Sequence, residues 1–260
     1  MIGIFDSGIG RMPEARAVEQ LLPDHSILYL GDIARTPYGT KSAETIIDYS
    51  LRNTEFLLQK GSHLIVIACN TASSVATERL RQEFKVPIIE VVTPAVQAVL
   101  SRSRTGRVGI IGTRATIRSN IYERSITALA PEFKVFSQAC PLLVPLVEEG
   151  WINQRETKMI LRRYLHPFKD KQIDTLVLGC THYPLLTDLI QPRIGNRVNL
   201  VDSSIETAHY LRRFLADHPD LVRKNGHQPA TRRYFVTDLT ESAQQVAAKI
   251  FNRPLELELV

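Results

Sequence analysis

The sequence predicts an α/β protein of two pseudo-symmetric lobes, each a mainly parallel sheet covered by helices, with the active site in the cleft between them. Three observations carry that expectation. Apolar runs short enough for buried strands alternate with amphipathic stretches. The run Ile65-Val66-Ile67-Ala68-Cys69-Asn70-Thr71 has a near copy in Leu176-Val177-Leu178-Gly179-Cys180-Thr181-His182. Other strand-like segments recur at almost one interval: Gly3 and Gly109 stand 106 positions apart, Cys69 and Cys180 111, and Glu90 and Asp202 112. Near-constant offsets across successive strands are what duplication of one unit produces.

Taken in order, Ile2 to Phe5 reads as the first strand and Asp6-Ser7-Gly8-Ile9-Gly10 as its turn into a helix near 13–22, with Pro13 suited to a first helical position. Ile27 to Leu30 is the second strand. Residues 42–60 form an amphipathic helix capped by Ser42, striped by Ile47, Leu51 and Leu58, and stopped by Gly61. The first cysteine strand, a helix over 73–84 and a strand from Ile88 to Val92 complete one round. The second round runs through Val108 to Thr113, Phe133 to Phe136, the second cysteine strand and Val198 to Val201. A strand at Tyr234 to Thr237 and a helix over 241–251, with Ala243, Val246, Ala247 and Ile250 inward, lead to the alternating Leu255 to Leu259, an edge strand or an exposed tail. Hinges near Thr93-Pro94 and Ser203-Ser204 make residues 1–93 and 205–260 one discontinuous lobe and residues 94–204 the other.

Composition narrows the function. With 44% hydrophobic and 23% charged residues the chain is ordinary for a globular protein. The net charge of +5 rests on scattered Lys and Arg, and the short runs Arg102-Ser103-Arg104 and Arg232-Arg233 lack interleaved aromatics, so no nucleic-acid partner is inferred. The start has no export-signal pattern, no apolar run is long enough for a bilayer, and three cysteines make a disulfide scaffold improbable. A reducing cytoplasm and no membrane partner are the expectation. CxxC, HExxH, the P-loop GK[ST] and a strand followed by GxGxxG are all missing, which argues against metal and nucleotide.

In open parallel sheets ligands bind beyond the carboxyl ends of the strands. If the lobes face one another, Cys69 and Cys180 converge from opposite sides of one cleft. Racemisation beside a carboxylate takes a proton from one face and returns one to the other, so one group must be a base while its opposite is an acid. A thiolate and a thiol exchange those roles, and helix N-termini or an imidazolium favour the thiolate. Cys140, before Pro141 in an apolar context, reads as a small buried hydrophobe.

The strings Phe5-Asp6-Ser7-Gly8-Ile9-Gly10, Pro37-Tyr38-Gly39, Ala68-Cys69-Asn70-Thr71-Ala72-Ser73, Val108-Gly109-Ile110-Ile111-Gly112-Thr113-Arg114-Ala115-Thr116 and Gly179-Cys180-Thr181-His182-Tyr183-Pro184 resemble the glutamate racemases of the aspartate/glutamate racemase superfamily. The resemblance implies cofactor-independent interconversion of L- and D-glutamate, without pyridoxal phosphate, flavin or metal, supplying D-glutamate for peptidoglycan. It implies that Cys69 takes the α-proton from the D enantiomer and Cys180 from the L, with Asp6 assisting the first and His182 with Glu148 the second. Ser7, Pro37, Tyr38, Gly39, Asn70, Thr71, Thr113, Thr116 and Thr181 match substrate-pocket positions, together with Asp6, both cysteines and His182. A homodimer is the family expectation.

Blander roles compete. Asp6 or Ser7 can cap the first helix, Glu148 can belong to a solvated helix face, Tyr38 can simply pack, and the threonines can be helix caps. The chain also departs from the family pattern, with Arg11-Met12-Pro13-Glu14 where Gly-Leu-Thr-Val is usual. Burying an unpaired carboxylate is costly, so the expectation is a later helix start with Glu14 exposed. The alternatives are an aspartate, other amino-acid or hydantoin racemase, or an impaired relative that binds an amino acid or a protein.

Overall fold

A computed structural model describes residues 1–8, 12–221 and 230–260. The first round of the repeat is β1 (Ile2–Asp6), α1 (Pro13–Leu21), β2 (Ile27–Gly31), α2 (Ala43–Gln59), β3 (Leu64–Ile67), α3 (Asn70–Glu83), β4 (Ile88–Glu90) and α4 (Val92–Arg102). The second is β5 (Arg107–Gly112), α5 (Arg114–Arg118), α6 (Ile121–Leu129), β6 (Lys134–Ala139), α7 (Leu143–Glu148), α8 (Arg155–Lys171), β7 (Thr175–Gly179), α9 (Thr187–Ile194), β8 (Asn199–Asp202) and α10 (Ser203–Asp217). After these come β9 (Arg232–Val236), α11 (Glu241–Phe251) and β10 (Leu257–Leu259).

Two sheets result, in which every pairing among the described residues is parallel. Their orders, β10-β9-β2-β1-β3-β4 and β6-β5-β7-β8, contain the same arrangement twice: β2-β1-β3-β4 matches β6-β5-β7-β8. The repeat read in the sequence is thus a repeat of topology, and the end of the chain extends the first sheet past β2. The central strands are buried along their whole length, as sheets covered on both faces require. Each fully buried Ile, Leu or Val contributes about 1.5–3 kcal/mol.

The paired glycines have a steric cause. A Cβ on Gly3 would stand 2.6 Å from Ser62 Oγ, and one on Gly109 would stand 2.7 Å from Ile173 Cδ1. Ser62 and Ile173 each lie just before the strand that ends in a cysteine, so both halves reserve the same gap for the same crossing.

Several boundaries differ from the sequence expectation. Strand β4 stops at Glu90, not Val92, because the Glu90 carboxylate accepts the N–H groups of Val92 (2.5 Å) and Thr93 (3.0 Å) and starts α4 there. Thr93 and Pro94 are therefore helical. Asp202 performs the equivalent service for α10, accepting from Ser204 N at 2.8 Å. Helix α3 begins at Asn70 instead of 73, since Cys69 is its cap. The inner stripe of α2 is Ile46, Ser50, Asn53, Thr54 and Leu57; Ile47, Leu51 and Leu58 flank it half-buried. Polar groups take the inner line because Asn53 reaches the Tyr38 hydroxyl (3.1 Å), and Ser50 and Thr54 bond back to the helix carbonyls. On α11, Val246 is half-buried beside buried Ala243, Ala247 and Ile250, and the terminal residues form an edge strand.

Replacing Gly3 or Gly109 by Ala is expected to destabilise the protein by about 1–3 kcal/mol, read as a lower denaturant midpoint. An unchanged midpoint in both variants would show that the crossing is loose.

Candidate active site

The carboxyl ends of β1 and β3 build the first wall. Pairing of β1 with β3 sets Asp6 beside Ala68, whose N–H donates to Phe5 O at 2.9 Å. Ser7 N donates to Asp6 Oδ1 (2.6 Å), and Ser7 Oγ lies 3.2 Å from Cys69 Sγ. The N-cap of α1 is Met12, which makes no side-chain bond. Cys69 is fully buried, and its sulfur accepts from Ala72 N at 3.4 Å, at the N-terminus of α3. A thiolate there faces the positive end of a helix.

The second wall is built by β7. Cys180 is 2% exposed, and its sulfur lies 3.7 Å from His182 Nδ1. On the other side of the imidazole, Nε2 is 3.2 Å from Glu148 Oε1, while Glu148 also accepts from Thr36 Oγ1 at 3.5 Å. Glu148 is half-buried, with its carboxylate engaged by His182 and Thr36. Thr181 is buried and its hydroxyl has no bonding partner among the described residues.

Hydrogen bonds also join the two walls. Asn70, next to Cys69, donates from Nδ2 to Ser203 Oγ at 3.0 Å, and Ser203 Oγ donates to Leu178 O at 3.3 Å, two residues before Cys180. Thr71 Oγ1 lies 2.9 Å from Thr113 Oγ1, which is 3.0 Å from Thr116 Oγ1. Thr113 also caps α5, the blander role expected of it. A Cβ on Gly39 would stand 2.6 Å from Thr113 Cβ, which is why the loop of Pro37 and Gly39 can press against the opposite wall.

The Tyr38 side chain packs, the blander of the two roles expected of it. Its hydroxyl donates to Asp32 Oδ2 and receives from Asn53, its ring packs on Tyr49, and burial holds its phenol protonated far above the ordinary range. Sequence reasoning missed Tyr122, whose hydroxyl donates to Asn70 Oδ1 (2.5 Å) from α6. No local pattern marks it, since an amphipathic helix accounts for an aromatic there equally well.

Cys140 is buried at the end of β6, as expected, with its thiol pushed up by burial. Strand β5 separates β6 from β7, a spacing of about 9–10 Å, which is too far for a disulfide to Cys180.

Of the departing segment, Arg11 lies outside the described residues, as do Ile9 and Gly10. Glu14 is described, and it overturns the expectation of exposure: helix α1 starts at Pro13 and the carboxyl is fully buried, with no hydrogen-bond partner for either oxygen among the described residues. Packing of α1 on α10 drives it inward. Burial first, then the carboxylates of Asp6, Asp202 and Glu90, raise its pKa well above the ordinary value. It is held as the neutral acid, which avoids the cost of a buried charge. Beside the site, a cavity of about 670 Å³ is lined by Gly8, Pro13, Arg16, Glu148, Leu185, Ser204 and Val246, among others. Among the described residues no cluster of His, Cys, Asp and Glu is arranged to hold a metal, and no helix is long and apolar enough to cross a membrane.

The fold is that of a two-lobed parallel α/β protein in which one strand of each sheet runs into a buried cysteine, with Ser7 beside Cys69 and His182 beside Cys180. The Asp/Glu/Hydantoin racemase family matches residues 14–211, and the chain belongs to that family. It is 44% identical to a glutamate racemase of Syntrophus aciditrophicus over 98% of this chain and 93% of that protein. The crystal structure of a glutamate racemase isoform from Bacillus anthracis superposes with a TM-score of 0.95 at 34% identity, covering 100% of this chain and 97% of that one. A glutamate racemase from Francisella tularensis in complex with D-glutamate gives 0.92 at 35% identity, covering 100% and 96%.

Because Glu14 binds its proton more tightly folded than unfolded, its contribution to stability is complete below its ordinary value of 4.5 and is lost as pH rises through its higher folded value. Glu14→Gln is therefore expected to raise Tm more at pH 8 than at pH 5. An equal shift at both would show that the carboxyl is not held neutral.

Proposed function

We propose that the protein interconverts L- and D-glutamate without a cofactor, by a two-base transfer between Cys69 and Cys180. The observation that carries this is the pair of buried thiols at equivalent strand ends, tied to one interface through Asn70 and Ser203. The named activity of relatives at 44% identity, and the D-glutamate bound by the Francisella protein, support the substrate.

In the D-to-L direction the Cys69 thiolate accepts the α-proton, while the Cys180 thiol delivers its own to the opposite face of the same carbon. The two sulfurs end with exchanged protonation, and the reverse reaction restores it. Asp6, with Ser7, assists proton movement at Cys69; His182, backed by Glu148, does so at Cys180. Burial of both thiols excludes water that would scramble the intermediate. Asn70, Thr71 and Thr181, with the backbones of Pro37, Tyr38 and Gly39 and the hydroxyls of Thr113 and Thr116, offer donors and acceptors matched to a small zwitterion. The product would supply peptidoglycan synthesis in the cytoplasm, and the working form would be a homodimer with lobes dividing near residues 93 and 204.

Incubating the pure protein with each enantiomer of glutamate and aspartate in D₂O, followed by circular dichroism and α-deuterium uptake, tests the reading. Glutamate is expected to turn over fastest. Preference for aspartate would replace the substrate, and no turnover of any of the four by folded, reduced protein would end the enzymatic reading. Cys69→Ser and Cys180→Ser are each expected to lower racemisation by about 10²–10⁴-fold. Cys69→Ser retains α-proton exchange from L-glutamate only, and Cys180→Ser from D-glutamate only; loss that ignores the enantiomer would count against two opposed bases.

A further inference from the structure

We propose that Tyr122 and Ser203 are positioning residues that strap the loop of Cys69 to the loop of Cys180 and so fix the spacing of the two thiols. The inference rests on the two-base reading above. Asn70, the residue after Cys69, commits both ends of its amide to groups outside its own helix: Oδ1 accepts from the Tyr122 hydroxyl at 2.5 Å and Nδ2 donates to Ser203 Oγ at 3.0 Å. Each of those groups also touches the strand that ends in Cys180. Ser203 Oγ donates to the carbonyl of Leu178 at 3.3 Å. The Tyr122 ring lies against Gly179, where an added Cβ would come within 3.3 Å of ring carbon Cε2.

Two separate routes thus run from the residue after one thiol to the two residues before the other. Tyr122 is 3% exposed and Ser203 fully buried, so water does not compete for these bonds. Their polarity is consistent throughout: the serine hydrogen goes to the Leu178 carbonyl, leaving its oxygen to accept from Asn70, and the phenol hydrogen goes to the amide oxygen. The amide is fixed in one orientation with a single N–H left over. A proton shuttled between opposed sulfurs is sensitive to such fixing, because a misplacement of about 1 Å costs on the order of 10²-fold in rate.

The test uses the full chain, with Tyr122→Phe, Ser203→Ala and the double variant, measured for glutamate racemisation in both directions and for amide hydrogen exchange by peptide mass spectrometry. Expected are a roughly tenfold loss of kcat for Tyr122→Phe and about 10²-fold for the double variant, with KM for either enantiomer within about threefold. Exchange is expected to quicken in peptides covering 68–73 and 178–183 and to stay unchanged elsewhere. Unchanged kcat and exchange in folded variants would overturn the strap. A rise in KM alone would mean that the pair orients Asn70 for substrate binding and does not set the spacing of the thiols, and exchange faster throughout the chain would reduce both residues to general core packing. If the unaltered chain racemises neither glutamate nor aspartate, the functional reading fails, while local exchange still decides whether the strap exists.

Discussion

Two strands, β3 and β7, each parallel to its sheet neighbours, run into a buried cysteine, and hydrogen bonds from Asn70 through Ser203 to Leu178 link the two strand ends. The other features depend on that link. A parallel strand buried on both faces has little freedom to slide, because moving it by one residue would carry apolar side chains into the wrong layer. The atom following its last apolar residue is therefore placed as firmly as the core itself. Gly3 and Gly109, by letting the preceding loops cross close to β1 and β5, keep β3 and β7 in register with their neighbours.

The polar chemistry of the interface is largely acidic and neutral. Among the described residues, Asp6, Glu90, Asp202 and Glu14 gather behind the thiols, and burial governs them differently. Glu90 and Asp202 accept the first N–H groups of α4 and α10, at the two places where the chain passes between the halves. Glu14 has no such donors, and its proton stays on. At one buried position Glu90 finds backbone donors, while at another Glu14 finds none, and there burial and the neighbouring carboxylates favour the neutral acid. Hydroxyls and one amide join the two walls at Asn70 and Thr71, and the Glu148 carboxylate accepts from Thr36 across the same contact.

Much of this was legible in the chain. The paired cysteine runs, the glycine spacing and the βα alternation each report a local requirement: a buried strand, a missing Cβ, a helix turned back over a sheet. Cys69 and Cys180 stood out because a polar, reactive group ends an apolar run in both halves, and Cys140 was separable from them by its apolar surroundings. Boundaries were less legible. Whether β4 runs to Val92 depends on a side-chain carboxylate folding back onto the next helix, and whether α2 turns Ile47 or Ile46 inward depends on a hydrogen bond from Asn53 to a tyrosine 15 positions earlier.

What the sequence by itself determined is the duplicated sheet and the two thiols at its strand ends, since hydrophobic periodicity, turn chemistry and internal repetition are properties of neighbouring residues. Tertiary structure alone decided the orientation of Tyr38 into the core, the inward turn of Glu14, and the meeting of Tyr122 and Ser203 at Asn70. Those outcomes rest on contacts between residues 15 to 133 positions apart or on one helix packing against another, and the free energy of such a contact exists only once the partners have been brought together.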